Sequence, residues 1–241
     1  IIRQTLPVYE LIIQDDCSTD NTRAILEEYS QRYSYIHLHF LPQHVGVNDN
    51  FFSAIDKATG DYIAISDQDD IWCNNKLESQ VRALDEQKAG LCFYSACPFE
   101  GEPAATLSSL RQQPNIHIRR ALFSMGLASG HTFMLTRDFW NAYKQYVPLY
   151  DHGITNMYYD SMLYFSAILN RKVAFLQMPY SQHRRLSFSV TMDKRKNLSQ
   201  RSAQNFIGQI CRNLGSKRRK KVQQVYANRF RNLALLATYW K

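Results

Sequence analysis

The sequence predicts an α/β fold, a mostly parallel sheet with helices on both faces. Three observations carry that expectation. Short β-branched runs alternate with helix-length amphipathic stretches, the runs end in turn-forming acidic clusters, and the connections are long enough for crossover helices. In such sheets ligands bind beyond the carboxyl ends of the strands, so residues that follow a predicted strand are the first place to seek a site.

Tyr9 to Gln14 is apolar and β-branched and predicts the first strand, which stops at the turn and capping cluster Asp15-Asp16-Cys17-Ser18-Thr19-Asp20. Asn21 to Tyr33 predicts a helix with Ile25, Leu26 and Tyr29 on one face, capped by Asp20 or Thr19, and Ile36 to Leu41 a second strand. Phe51, Phe52 and Ile55 give Asn48 to Thr59 helical spacing, and Gly60 stops it before the strand Tyr62 to Ser66. The turn Asp67-Gln68-Asp69-Asp70 leaves that strand, followed by a helix at Lys76 to Gln87 and a strand at Leu91 to Ser95. Pro98 to Pro114 reads as a loop between the two halves. Beyond it, Gly130 to Leu135 predicts a strand, Asp138 to Tyr146 and Tyr159 to Leu169 helices, and Lys172 to Leu176 another strand. From Lys217 a basic amphipathic helix is expected, with Val222, Val225, Tyr226, Phe230, Leu233, Leu236 and Trp240 at three- and four-residue steps. The domain reading is a catalytic α/β domain over residues 1–191 and a basic, largely helical tail over 192–241.

The net charge of +8 is uneven: Asp193 is the last acid, and Lys194 to Lys241 holds thirteen Lys and Arg, leaving sixteen bases against twenty-one acids before it. Clustered bases attract phosphate-rich surfaces. Five scattered cysteines without a C-x-x-C pair suggest neither a disulfide framework nor a zinc site and fit a reducing cytosol. No apolar run reaches the roughly eighteen residues needed to span a bilayer. The chain opens at Ile1, and Gln4-Thr5-Leu6-Pro7 leads at once into a strand, as though an earlier element had been removed; an N-terminal truncation is the expectation.

Two acidic clusters could carry chemistry. Carboxylates at alternate positions of a tight turn, as in Asp67-Gln68-Asp69-Asp70, can converge on Mg²⁺ or Mn²⁺, and a cation held so can neutralise the charge of a departing diphosphate. The plainer reading is a solvated acidic turn capping the next helix. Asp15 and Asp16 precede the capping positions and suit hydrogen bonds from ribose hydroxyls or a base imide.

Tyr9 to Thr22 resembles the ELIIVDDGSTDGT segment of family 2 glycosyltransferases, which have the GT-A fold. His44-Val45-Gly46-Val47-Asn48-Asp49-Asn50 resembles their N-x-G-x-x-x-N stretch, with His44 in place of asparagine. Asp67-Gln68-Asp69-Asp70-Ile71-Trp72 is similar to the DQDDIW form of bacterial rhamnosyltransferase-like members, and Gly130-His131-Thr132 to the family's G-C/H-T-M loop. The resemblance implies a donor site for a nucleoside-diphosphate sugar, dTDP-rhamnose or a UDP-sugar. Asp15, Asp16, Ser18, Asp67, Gln68, Asp69, Asp70, Trp72, Gly130 and His131 would line it. A divalent ion would sit on Asp69 with Asp67 or Asp70, and His183, from a segment resembling Y-R-x-H with Ser181 replacing arginine, would contact the metal or diphosphate. Asp160 matches the catalytic base, which deprotonates the acceptor with inversion; its other reading is a helix N-terminal carboxylate. Relatives also begin with a strand and loop that help hold the nucleotide, and nothing here matches them.

The implied acceptor is a glycan or lipid-linked molecule in bacterial surface-polysaccharide assembly. Lys217-Arg218-Arg219-Lys220-Lys221 suits an anionic bilayer, placing the protein in the cytoplasm at the inner face of the membrane; the alternative is a helix packed on the catalytic domain with its bases solvated. Its bases are not interleaved with exposed aromatics, which disfavours nucleic acid. The rival from another class is a nucleotide- or membrane-binding module of the same fold without turnover.

Overall fold

The computed structural model describes residues 1–103, 128–145, 158–170 and 172–185. They belong to two compact units, one of Ile1–Cys97 with Ala104–His183, the other of Pro98–Pro103 with Arg184–Lys241. The expected boundary after residue 191 and the basic helix from Lys217 lie outside the described residues.

In chain order the elements are β1 (Leu11–Asp15), α1 (Thr22–Arg32), β2 (Ile36–Phe40), α2 (Val47–Lys57), β3 (Tyr62–Ala64), β4 (Ile71–Trp72) and α3 (Lys76–Gln87). They continue as β5 (Leu91–Tyr94), β6 (Cys97–Phe99), a 3₁₀ turn (Gly130–Thr132), β7 (Met134–Thr136), α4 (Arg137–Tyr143), α5 (Tyr159–Leu169), β8 (Val173–Leu176) and β9 (Ser181–Arg184). β1 and β2 pair in parallel around α1, the crossover that the alternating pattern demands. A second sheet runs β3-β7-β5-β8 and is mixed: β5 and β8 are parallel, while β7 runs against both its neighbours. β4 pairs antiparallel with β9, Ile71 opposite Gln182 and Trp72 opposite Ser181.

α3 forms over the predicted residues because Leu77, Ala83 and Leu84 recur on one face, all buried with Cys92, Met134 and Ala174. Each large apolar side chain so buried contributes about 1.5–3 kcal/mol. Lys88 ends the helix in the left-handed conformation, its N–H bonding back to Asp85 and Leu84. Between β1 and β3 lies a cleft of about 590 Å³ lined by apolar side chains including Val8, Ile12, Phe51, Ile63 and Met134. The segment before β1 is tied to the start of α3, where Gln4 donates to the Cys73 carbonyl at 2.7 Å and the Thr5 N–H to that of Asn74 at 2.7 Å.

α1 has no fully buried residue: Leu26 is half-buried, and Ile25 and Tyr29 are 48% and 43% exposed. One expectation is corrected. Gly130 to Leu135 is not a continuous strand but the 3₁₀ turn followed by β7, so that His131 leaves the sheet instead of alternating within it. Within the segment read as a loop from Pro98, β6 already extends to Phe99, and residues 104–114 lie outside the described ones. In the second unit the Arg185 N–H donates to the Phe99 carbonyl, and the Arg184 guanidinium lies 4.7 Å from the Phe99 ring centre.

Candidate active site

The acidic turn starts where β3 ends, with the Ile65 N–H still donating to the Phe133 carbonyl at 3.0 Å. It then delivers the chain into β4. Asp70 points inward, its side chain fully buried, and meets two imidazoles: Nδ1 of His131 from the 3₁₀ turn contacts one oxygen, and Nδ1 of His183 from β9 lies 2.9 Å from the other. The rings are 4.5 Å apart. Burial opposes the charge on Asp70, but the two histidine hydrogen bonds outweigh it and hold the carboxyl below its usual range. An ionised carboxylate only accepts, so both histidines carry a proton on Nδ1, and in the neutral tautomer Nε2 presents a lone pair.

Around these rings, ligand atoms of Asp67, His131 and His183 lie within 4.8 Å of one another, as do those of Asp69, Asp70 and His183. Burial pushes the Asp67 carboxyl up to about 6, Asp70 and Asp69 adding repulsion against the attraction of His131 and His183. The His183 imidazole is raised by its bond to Asp70. Each of these two triads joins carboxylate oxygen to imidazole nitrogen, donors that could take Mg²⁺ or Mn²⁺, and the bonds of Asp70 to both rings orient the histidines. Gln68 is exposed on the outer side of the turn.

Asp160 stands in the first turn of α5, where its carboxylate accepts from the Ser161 N–H at 2.6 Å and from the Gly130 backbone N–H. Burial raises its pKa above the ordinary aspartate value despite those bonds. Gly130 touches α5 so closely that a Cβ there would lie 2.1 Å from the Tyr159 hydroxyl. Asn48 fixes the same helix start, its side-chain carbonyl accepting from the Tyr159 N–H at 2.8 Å, and Phe51 stacks on the Tyr159 ring at 4.1 Å. Asn48 was legible only as part of a motif, Tyr159 only as the neighbour of Asp160.

The first acidic cluster is arranged otherwise. Asp15 accepts from both the backbone and the hydroxyl of Ser18, closing the turn after β1. Asp16 accepts from the N–H groups of Val45 and Gly46 at 2.8 and 3.1 Å and meets His44 at 2.8 Å, clamping the loop into α2, which Gly46 enters at φ 87°. Asp20 accepts from the Thr22 N–H at 3.0 Å and closes the turn into α1, but the N-cap itself is Asn21, without a side-chain cap bond, and not the expected Asp20 or Thr19. Thus Asp67, Asp69, Asp70, His131 and His183 converge and Asp160 is tied to their 3₁₀ turn, whereas Asp15, Asp16 and Ser18 engage the loops beside them. Trp72 follows in β4, its indole over Lys76, a fully buried lysine that sequence reasoning missed because a lysine opening a helix normally reads as solvated.

The sequence model of glycosyl transferase family 2 matches residues 1–142, more than half of the chain. The chain belongs to glycosyl transferase family 2. This family 2 chain is 37% identical over 105 residues to TuaG of Bacillus subtilis (strain 168), a protein named for teichuronic acid biosynthesis, covering 43% of this chain and 42% of that one. It therefore spans less than half of that relative's length. Among solved structures, Staphylococcus aureus TarS 1–349 in complex with UDP-GlcNAc superposes with a TM-score of 0.57 at 19% identity, covering 78% of this chain and 53% of that one. The mannosyltransferase PcManGT of Pyrobaculum calidifontis, in complex with GDP-Man and Mn²⁺, superposes at 0.52 and 16% identity, covering 99% and 66%. The fold of the family 2 chain is GT-A.

Proposed function

We propose that this chain carries the donor site and catalytic base of an inverting glycosyltransferase, which moves a sugar from a nucleoside diphosphate to a glycan or lipid-linked acceptor in bacterial surface-polysaccharide assembly. The observation that supports it most is the convergence of Asp67, Asp69 and Asp70 with His131 and His183 beyond the end of β3. A divalent ion, Mg²⁺ or Mn²⁺, would be held by Asp69 with Asp70 and His183, beside the adjoining set of Asp67, His131 and His183, and when bound it supplies charge neutralisation for the departing diphosphate. Asp70 keeps the imidazoles oriented. Asp15, Asp16 and Ser18 set the loops that face the nucleoside. Trp72 closes the site beneath the turn.

Asp160 acts on the acceptor. Its raised pKa makes the carboxylate a stronger base than a solvated aspartate, and its anchoring to the Ser161 and Gly130 N–H groups fixes the atom that takes the hydroxyl proton. Attack from the face opposite the diphosphate inverts the anomeric centre. Lys217 to Lys221 would bring the protein to the cytoplasmic face of an anionic membrane, where a lipid-linked acceptor resides.

The test is a thermal-shift series of nucleoside diphosphates with and without Mn²⁺, on the wild type and Asp69→Ala. The proposal expects at least one nucleotide to stabilise the wild type more with metal, and that increment to vanish in Asp69→Ala. Metal-independent or absent stabilisation by every nucleotide sinks it.

A further inference from the structure

Lys76, the first residue of α3, has no part in the mechanism above and yet is wholly buried. Its ammonium Nζ lies 3.6 Å from the centre of the Trp72 ring and 5.9 Å from that of Tyr94. Among the described residues Nζ has no hydrogen-bond partner. A buried ammonium without a carboxylate is a costly group, and space of this shape is filled more cheaply by leucine or methionine. Burial lowers the pKa of Lys76 to about 7, against which the negative faces of two aromatic rings and the nearby charge of Asp70 favour the cation.

Those rings belong to the joint that brings the site together. Trp72 lies two residues beyond Asp70 and pairs with Ser181 of β9. The Tyr94 hydroxyl donates to the Ser181 hydroxyl at 2.9 Å. Two residues further along β9, His183 meets Asp70 at 2.9 Å. The ammonium therefore sits where β4, which follows Asp70, the strand carrying His183 and β5 are fastened to one another.

We propose that Lys76 is a positioning residue of the donor site: its cation on the faces of Trp72 and Tyr94 clamps β4 to its neighbours and holds Asp70 in register with His183, so that binding of a metal–nucleoside diphosphate depends on it. The inference rests on the donor-site reading. A lysine that merely fills space makes a different prediction, because methionine fills the same cage and removes an unpaired charge.

UDP with saturating Mn²⁺ is titrated calorimetrically into the wild type, Lys76→Met, Trp72→Leu and the double variant, with melting temperatures recorded alongside. Lys76→Met is expected to melt no lower than the wild type yet bind UDP with Mn²⁺ at least ten-fold more weakly. In the Trp72→Leu background the same substitution is expected to change affinity less than two-fold, since the cation has lost its principal ring. Should Lys76→Met not yield folded protein, Lys76→Gln, also uncharged, carries the same comparison. Equal affinity in wild type and Lys76→Met, or an equal loss in both backgrounds, overturns the role of Lys76 while leaving the donor site standing. A wild type that binds UDP no better with Mn²⁺ than without overturns the donor site and this inference with it.

Discussion

Gly130 and Tyr159 stand so close that no side chain fits between them: a Cβ at residue 130 would be 2.1 Å from the Tyr159 hydroxyl oxygen and 2.5 Å from the ring carbon that bears it. The contact joins the turn carrying His131 to the helix carrying Asp160, so the spacing of these two side chains is set there. Gly130→Ala should displace the start of α5, destabilise the protein by about 1–3 kcal/mol as overpacking does, and reduce turnover far more than UDP binding. Tyr159→Phe, which removes the clashing hydroxyl, should restore part of both in the double variant. Turnover of Gly130→Ala equal to wild type would remove the spacing argument.

In the proposed site Asp67 would link stability to metal binding. Its folded pKa of about 6 is above the ordinary value of 3.8, so its stabilising contribution is complete at low pH and is lost as pH rises through about 6. Protein free of metal should therefore weaken between pH 4 and 7, by up to about 3 kcal/mol from this group. Asp67→Asn should flatten that part of the profile and raise the melting temperature at pH 7.5 without metal, while abolishing the increment that Mn²⁺ gives the wild type. His183, raised by Asp70, has the same sign higher up: its contribution is full below its unfolded value of 6.5 and is lost as pH rises through the elevated folded value. A melting profile of Asp67→Asn superimposable on wild type from pH 4 to 7 contradicts the assignment.

Cys17 occupies a position that disfavours it. It follows Asp16 at φ 66°, in the left-handed region, where a residue with a Cβ costs about 1–2 kcal/mol and glycine essentially nothing. Its Sγ contact with the Leu41 carbonyl at 3.3 Å is a weak hydrogen bond. Cys17→Gly is expected to stabilise the fold by about 0.5–1 kcal/mol after allowance for the entropy of an unfolded glycine, read as a higher urea midpoint with an unchanged slope. A lower midpoint would show that the thiol contact outweighs the backbone strain.

Much of this architecture was legible because periodicity and burial agree. α3 begins and ends where predicted because its apolar face packs against β5 and β7, and α5 likewise runs from Tyr159 to Leu169 as read. Where local pattern and packing disagree, the sequence misleads. Gly130-His131-Thr132 reads as strand because apolar residues follow, but contact with Tyr159 and the pull of Asp70 on His131 turn it aside. The spacing of Ile25, Leu26 and Tyr29 places them on one face of α1 but does not say how deeply that face is buried, and no residue of the helix is fully buried. In the site the carboxylates were visible as types, but their division was not. Both oxygens of Asp70 are engaged by histidines from distant segments, leaving Asp67 and Asp69 freer, and no local motif records that.

As the proposed base, Asp160 offers the sharpest test that separates binding from chemistry. It is buried and accepts backbone N–H bonds, and burial raises its pKa, so its charge opposes folding once pH exceeds that elevated value. Asparagine keeps the shape and one acceptor without the charge. Asp160→Asn should thus be as stable as wild type or more so at pH 7.5, bind UDP with Mn²⁺ within about two-fold, and lose about 10²–10⁴-fold in sugar transfer, the range over which a general base contributes. The wild-type rate should rise with pH as Asp160 deprotonates, and that limb should vanish in the residual activity of the variant. If Asp160→Asn transfers sugar at the wild-type rate, the base lies elsewhere; if it loses UDP binding as well, Asp160 serves the donor and not the acceptor.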